Sequence, residues 1–310
     1  MQSPPLIIGT RGSPLALYQA NLVQRLIYET SGRTPEQVVI KILKTSGDSI
    51  KGELKDFGGK GLFTRELELA LLDGTIDLAV HSMKDVPTVG HDALKIAAIL
   101  PRADVRDAFI SVKYKSIADL PQGALIGSAS LRRRAQLAAL RPDLTFGLLR
   151  GNVGTRLDKL EAGVCDATML ACAGLRRLEQ DERITEAVET DVMLPAPAQG
   201  AIGIEIRRNR ADLKDILAPL NDRAAELETT AERAFLRALD GNCRTPIAAL
   251  ARLEDGTLTL KGEILAKDGT LRVMREGTGA VSSQAEAYDL GFKLGEAVRA
   301  EVGGRITFDV

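Results

Sequence analysis

Short apolar runs alternate with longer stretches of helical spacing through the first two-thirds of the chain. Residues 6–10 are an apolar run that predicts a strand, followed by Ser13-Pro14 as an N-cap with proline in the first helical turn. Residues 15–28 carry apolar side chains at helical spacing and stop before Gly32. The same cycle predicts strands at 38–44, 76–80, 94–100, 124–127, 144–149 and 166–170. It predicts helices at 62–72, 131–140, 153–161 and 171–178. Such alternation indicates mostly parallel sheets covered by helices.

Two proline-marked stretches, 101–104 and 195–197, are expected crossings between domains. After the second, residues 201–206 form one more apolar strand, too short for a domain of its own, which is expected to return to the first sheet. That makes two α/β lobes joined by a double crossover, an arrangement suited to hinge motion. From Asn221 the pattern changes to a helix at 224–239, strands at 247–253, 257–265 and 271–275 with Asp-Gly turns between them, and a long helix at 282–302. The expected domains are 1–100 with 198–220, 101–197, and 221–310, the last a small α+β domain with a three-stranded antiparallel sheet.

Composition narrows the chemistry. The 310 residues are 45% hydrophobic and 27% charged, a globular balance. No apolar run approaches a membrane span, and residues 1–8 lack the basic n-region of a secretory signal, so a cytoplasmic protein is expected. Three cysteines, Cys165, Cys172 and Cys243, predict reduced thiols rather than a disulfide framework. Two histidines, His81 and His91, and no CxxC pair argue against a metal site. The net charge of −1 and 4% aromatic content argue against nucleic acid as a partner.

The cations are nevertheless unevenly chosen, 27 Arg to 14 Lys. Arginine's planar fork matches carboxylate or phosphate, whereas lysine is a point charge. Arginine, hydroxyl and glycine recur where strands hand over to helices, at Thr10-Arg11-Gly12-Ser13, Gly127 to Arg133 and Arg150 to Arg156, with Arg176-Arg177 later in a helix. Ligands of open α/β sheets bind at such places, beside helix N-termini. Singly, each is read as a solvated helix-start cation; recurring together, they are expected to cradle an anion. Carboxylate is favoured over phosphate because no GxxxxGK[ST] or GxGxxG run is present.

His81-Ser82-Met83-Lys84-Asp85-Val86-Pro87 closes a predicted strand, so Asp85 is a candidate to stabilise a developing cation or move a proton. Alone, Lys84-Asp85 reads as a surface pair; its place beside the arginines gives it the sharper reading. His81 is expected to be a core or supporting residue. Residues 46–61 are polar and glycine-bearing, a candidate lid. Cys243 lies in a predicted loop beside Arg244, which favours its thiolate, while Cys165 and Cys172 flank an apolar strand as packing residues.

Taken in order, Ile8 to Ala16, Gly59-Lys60-Gly61-Leu62-Phe63, His81 to Pro87, Ser130-Leu131-Arg132-Arg133, Arg150 to Arg156, Gln199-Gly200-Ala201 and Gly241-Asn242-Cys243 resemble the porphobilinogen deaminase family over nearly the whole chain. The resemblance implies periplasmic-binding-protein-like α/β lobes and a monomeric enzyme of tetrapyrrole and haem biosynthesis. The family is a transferase that joins four porphobilinogen molecules head to tail with loss of ammonia and releases hydroxymethylbilane by hydrolysis. It implies a dipyrromethane cofactor in thioether linkage to Cys243, where Asn242 replaces the family's usual second glycine. On matching positions it implies Asp85 as the catalytic carboxylate. Arg11, Ser13, Lys84, Ser130, Arg132, Arg133, Arg150, Arg156, Arg177 and Gln199 are implied contacts to cofactor or substrate, and Lys60 and Phe63 belong to the lid. The rival from the residues alone is a two-lobed solute-binding protein with an arginine-lined cleft, which needs no reactive cysteine.

Overall fold

A strand, a capped helix and a second strand open the chain as the apolar pattern predicts. The computed structural model describes residues 5–44, 64–240 and 245–306. In chain order the elements are β1 (Leu6–Arg11), α1 (Pro14–Ser31), β2 (Val38–Leu43), α2 (Arg65–Leu72), β3 (Leu78–Ser82), β4 (Leu94–Ile99) and β5 (Asp107–Ile110). There follow β6 (Leu125–Gly127), α3 (Leu131–Leu140), β7 (Thr145–Gly147), α4 (Val153–Glu161), β8 (Ala167–Ala171), α5 (Cys172–Arg177), β9 (Glu186–Val188) and β10 (Ile202–Arg207). The chain closes with α6 (Arg223–Ala238), β11 (Ile247–Glu254), β12 (Thr257–Leu265), β13 (Arg272–Ala280) and α7 (Gln284–Val302).

The described residues up to Ala103, with Ala201–Glu226, form one compact unit; Asp104–Gly200 and the described residues from Leu227 form the other. In the first unit the strands lie in the order β2-β1-β3-β10-β4. β1 is parallel to β2 and β3, while β10 is antiparallel to both its neighbours. α1 buries Ala20, Val23 and Ile27, at helical spacing, against Ile8, Leu78 and Ile204 of the sheet. β3 runs to Ser82, two residues beyond the predicted end, because β10 pairs with it from Leu78 to Ser82.

The second unit repeats this order as β7-β6-β8-β5-β9, again with one strand, β5, running against the other four. Each opposed strand directly follows a crossing. β10 is the returning strand the sequence predicts; β5 is its counterpart, unpredicted because it is four residues long and opens on a charge. The second unit also holds the three-stranded antiparallel sheet β11-β12-β13, covered by α6 and α7 around Phe235, Leu260 and Val298. Val105 and Leu194 pack with Ala248 and Leu250, joining the crossing to this sheet. Two α/β lobes, a double crossover and a small α+β part are thus all present.

Among the described residues, no helix is long and apolar enough to cross a membrane, and no cluster of three His, Cys, Asp or Glu side chains could hold a metal ion. Cys165 and Cys172 are buried free thiols, and burial pushes the Cys172 thiol up to about 11.

Candidate active site

In the first unit the site grows from the end of β1. Thr10 is fully buried, and its hydroxyl donates to the Ala16 carbonyl at 3.1 Å, folding the loop back on the first turn of α1. Ser13 then takes the extended N-cap conformation (φ −72°, ψ 148°), its Oγ accepting from the Ala16 N–H at 3.3 Å, with Pro14 in the first turn. The positive end of an 18-residue helix therefore opens beside Arg11.

The end of β3 supplies the other wall. Met83–Asp85 forms one 3-10 turn, and the Met83 N–H donates to the Ala201 carbonyl at 3.0 Å, tying the turn to the start of β10. Gly203 of β10 permits this approach, since a Cβ there would meet Met83 Sδ. Gln19 of α1 donates from Nε2 to Ser82 Oγ at 2.8 Å. His81, 5% exposed, lies 3.0 Å from Glu205 Oε2 of β10, the supporting place expected of it. Arg11, Ser13, Gln19, His81, Ser82 and Asp85 line one pocket. Lys84 occupies the same turn as Asp85.

In the second unit the arginines divide into two kinds. Ser130 caps α3, accepting from the Arg133 N–H at 3.4 Å. Arg132 and Arg133, only 5% and 6% exposed, turn inward onto Asp107 of β5. Arg132 donates to Asp107 Oδ2 at 2.6 Å, and also to Gln136 Oε1 and the Leu194 carbonyl, both at 2.9 Å. Arg133 donates to Asp107 Oδ1 at 2.7 Å and to the Met169 carbonyl at 2.8 Å. Burial alone pushes the Asp107 carboxyl up, but the two guanidiniums outweigh it and hold it well below the usual carboxylate range. Gln136 extends the network, donating to Glu263 of β12 at 2.6 Å, which in turn accepts from Arg272.

Arg150 and Arg156 are the half-buried kind. Asn152 caps α4 through Oδ1, accepting from the Thr155 N–H at 2.9 Å, and Arg156 Nε donates to the Gly151 carbonyl at 2.8 Å. Lys159 donates to the Arg150 carbonyl at 2.9 Å. Arg177 donates to the Gly200 carbonyl at 2.7 Å, and fully buried Gln199 donates to the Val105 carbonyl at 2.7 Å and to Asp107 at 3.0 Å. Lys60, Phe63, the candidate lid at 46–61 and Cys243 lie outside the described residues.

Sequence reasoning missed Asp107, Gln136, Glu205 and Glu263. For Asp107 and Glu205 the signal was a lone acidic residue in an otherwise apolar strand segment, as in Asp107-Ala108-Phe109-Ile110, which a buried partner explains; Gln136 lies in a helix and Glu263 in a strand of mixed polarity, where nothing local marks them. Two sheets of one order, with guanidinium, hydroxyl and carboxylate groups at strand ends and helix starts, define an α/β protein with anion-binding groups at those ends. Residues 6–215 match the family model described as "Porphobilinogen deaminase, dipyromethane cofactor binding domain", and residues 226–300 match "Porphobilinogen deaminase, C-terminal domain". Porphobilinogen deaminase of Paracoccus denitrificans (strain Pd 1222) is 52% identical over 296 residues, 95% of this chain and 94% of that one. That of Nitrobacter hamburgensis is 49% identical over 299 residues, 96% of this chain and 93% of that one. A solved periplasmic binding protein of Salmonella typhimurium is 14% identical with a TM-score of 0.39, covering 70% of this chain and 92% of that chain. The chain belongs to the porphobilinogen deaminase family, enzymes of tetrapyrrole synthesis, and carries the family's dipyrromethane-binding domain.

The donor set fits that group. Two pyrrole rings bearing acetate and propionate arms need cations and hydroxyls for the carboxylates and an acceptor for ring N–H groups. In the first unit Arg11 and Ser13 are of the first kind and Asp85 is of the second; the second unit, taken by itself, holds Ser130, Arg150 and Arg156 of the first kind.

Proposed function

We propose that the protein is a hydroxymethylbilane-forming transferase, condensing four porphobilinogen molecules head to tail with loss of ammonia and then releasing the linear product by hydrolysis. The observation that supports this most is the sharing of one pocket by Asp85, Arg11 and the capped start of α1. Such a pocket offers an anion to a ring N–H and to the cation left on the pyrrole methylene when the aminomethyl group loses ammonia, with a guanidinium and a helix terminus for the acidic arms. Asp85 is the catalytic carboxylate in this reading, worth roughly 10²–10⁴ in rate. When bound, the dipyrromethane, in thioether linkage to Cys243, supplies the free pyrrole carbon that primes the chain.

Ser130, Lys84, Arg150, Arg156 and Arg177 take acetate and propionate groups. Arg132, Arg133 and Gln199 act on the same ligands from a scaffold already fixed by Asp107. We place the enzyme in the cytoplasm, where a reducing environment keeps the attachment sulfur available, and propose that it works as a monomer without nucleic acid or membrane. The three domains proposed are 1–100 with 198–220, 101–197 and 221–310.

The test is direct. Purified protein given porphobilinogen should release one ammonia per porphobilinogen consumed and yield a linear tetrapyrrole. The protein itself should give the colour reaction of an aldehyde reagent with free pyrrole α-positions. Consumption without ammonia, or no turnover, refutes the proposal.

A further inference from the structure

Thr64 stands immediately before α2, in the N-cap position, where threonine ordinarily accepts a hydrogen bond from the first turn. Here it does not. Its backbone is already helical (φ −117°, ψ −26°) and its side chain makes no capping bond. The residue is 1% exposed, and its hydroxyl has no hydrogen-bond partner among the described residues. A buried hydroxyl in that condition is costly, and native structures rarely keep one without a use. Thr64 lines the same pocket as Arg11, Ser13 and Asp85.

We propose that Thr64 is a substrate-binding residue, its hydroxyl donating to a carboxylate oxygen of the pyrrole held beside Arg11 and Ser13. This rests on the deaminase reading of the pocket. The contact exists in ground and transition states alike, so its loss appears in KM more than in kcat. The folded protein without ligand gains nothing from the hydroxyl, so a methyl in its place does not cost stability. Activity and stability therefore part company at this position.

Thr64→Val, Thr64→Ala and Thr64→Ser are to be compared with wild type for porphobilinogen turnover and Tm. Thr64→Val should raise KM about tenfold or more, with kcat within about twofold and Tm equal to or above wild type. Thr64→Ala should raise KM in the same direction, and Thr64→Ser, which keeps the hydroxyl, should stay within about threefold of wild type. An unchanged KM in Thr64→Val overturns the proposal. So does a fall in Tm with kcat and KM impaired in all three variants, which marks a structural role. A wild-type protein that does not turn over porphobilinogen refutes the deaminase reading instead.

Discussion

Asp85 is half-buried and sits in a single 3-10 turn whose Met83 N–H donates to the Ala201 carbonyl. Asp85→Asn should therefore cut turnover by about 10² or more while leaving Tm close to wild type; near-normal turnover in that variant removes Asp85 from the role. Asp107 is the opposite case, a fully buried carboxylate on which two guanidiniums converge. Asp107→Asn leaves Arg132 and Arg133 uncompensated, and denaturant unfolding should show a loss of about 3–5 kcal/mol. Because the folded protein holds this carboxyl below its ordinary value of 3.8, the stability it contributes is fully present above that value and is lost as pH falls below it toward the folded value. The gap between wild type and Asp107→Asn should narrow over that same range. Arg11, Ser13 and Asp85 were legible in the sequence because each lies within a few residues of a strand end. The inward turn of Arg132 and Arg133 was not, because Asp107 is some 25 residues away on an unpredicted strand.

Helix caps and close crossings govern the elements. α7 begins with a capping box in which Glu286 accepts from the Ser282 and Ser283 N–H groups, and those bonds lower its carboxyl to about 2. Glu286→Gln should lower Tm at neutral pH, with the difference from wild type closing as pH falls from 4.5 toward 2. Further along the same helix a Cβ on Gly291 would meet the Ala231 carbonyl of α6, a backbone atom that cannot swing aside. Gly291→Ala should cost about 1–3 kcal/mol, seen as a drop of several degrees in Tm. The apolar period placed most helices and strands within one to three residues. It stopped β13 near residue 275, whereas the strand continues to Ala280, because Glu276-Gly277-Thr278-Gly279 has no apolar alternation and is ordered by pairing with β12. Local pattern cannot report what a neighbouring strand imposes.

At the scale of the molecule, two five-stranded sheets of one order are each completed by the strand that follows a crossing. The crossings were visible as proline-marked breaks, and the returning strand as an apolar run too short to stand alone. The duplicated order was not visible, since β5 and β9 are only four and three residues long. In the proposed reading, the unit that contains the family's C-terminal domain also carries the sulfur from which the product is grown. The intact mass of the purified protein tests this most directly, measured beside Cys243→Ser. The account predicts a wild-type mass above that of the sequence by two linked pyrrole units bearing acetate and propionate arms, with the excess absent from Cys243→Ser. A wild-type mass equal to that of the sequence, or an excess that survives the substitution, contradicts it.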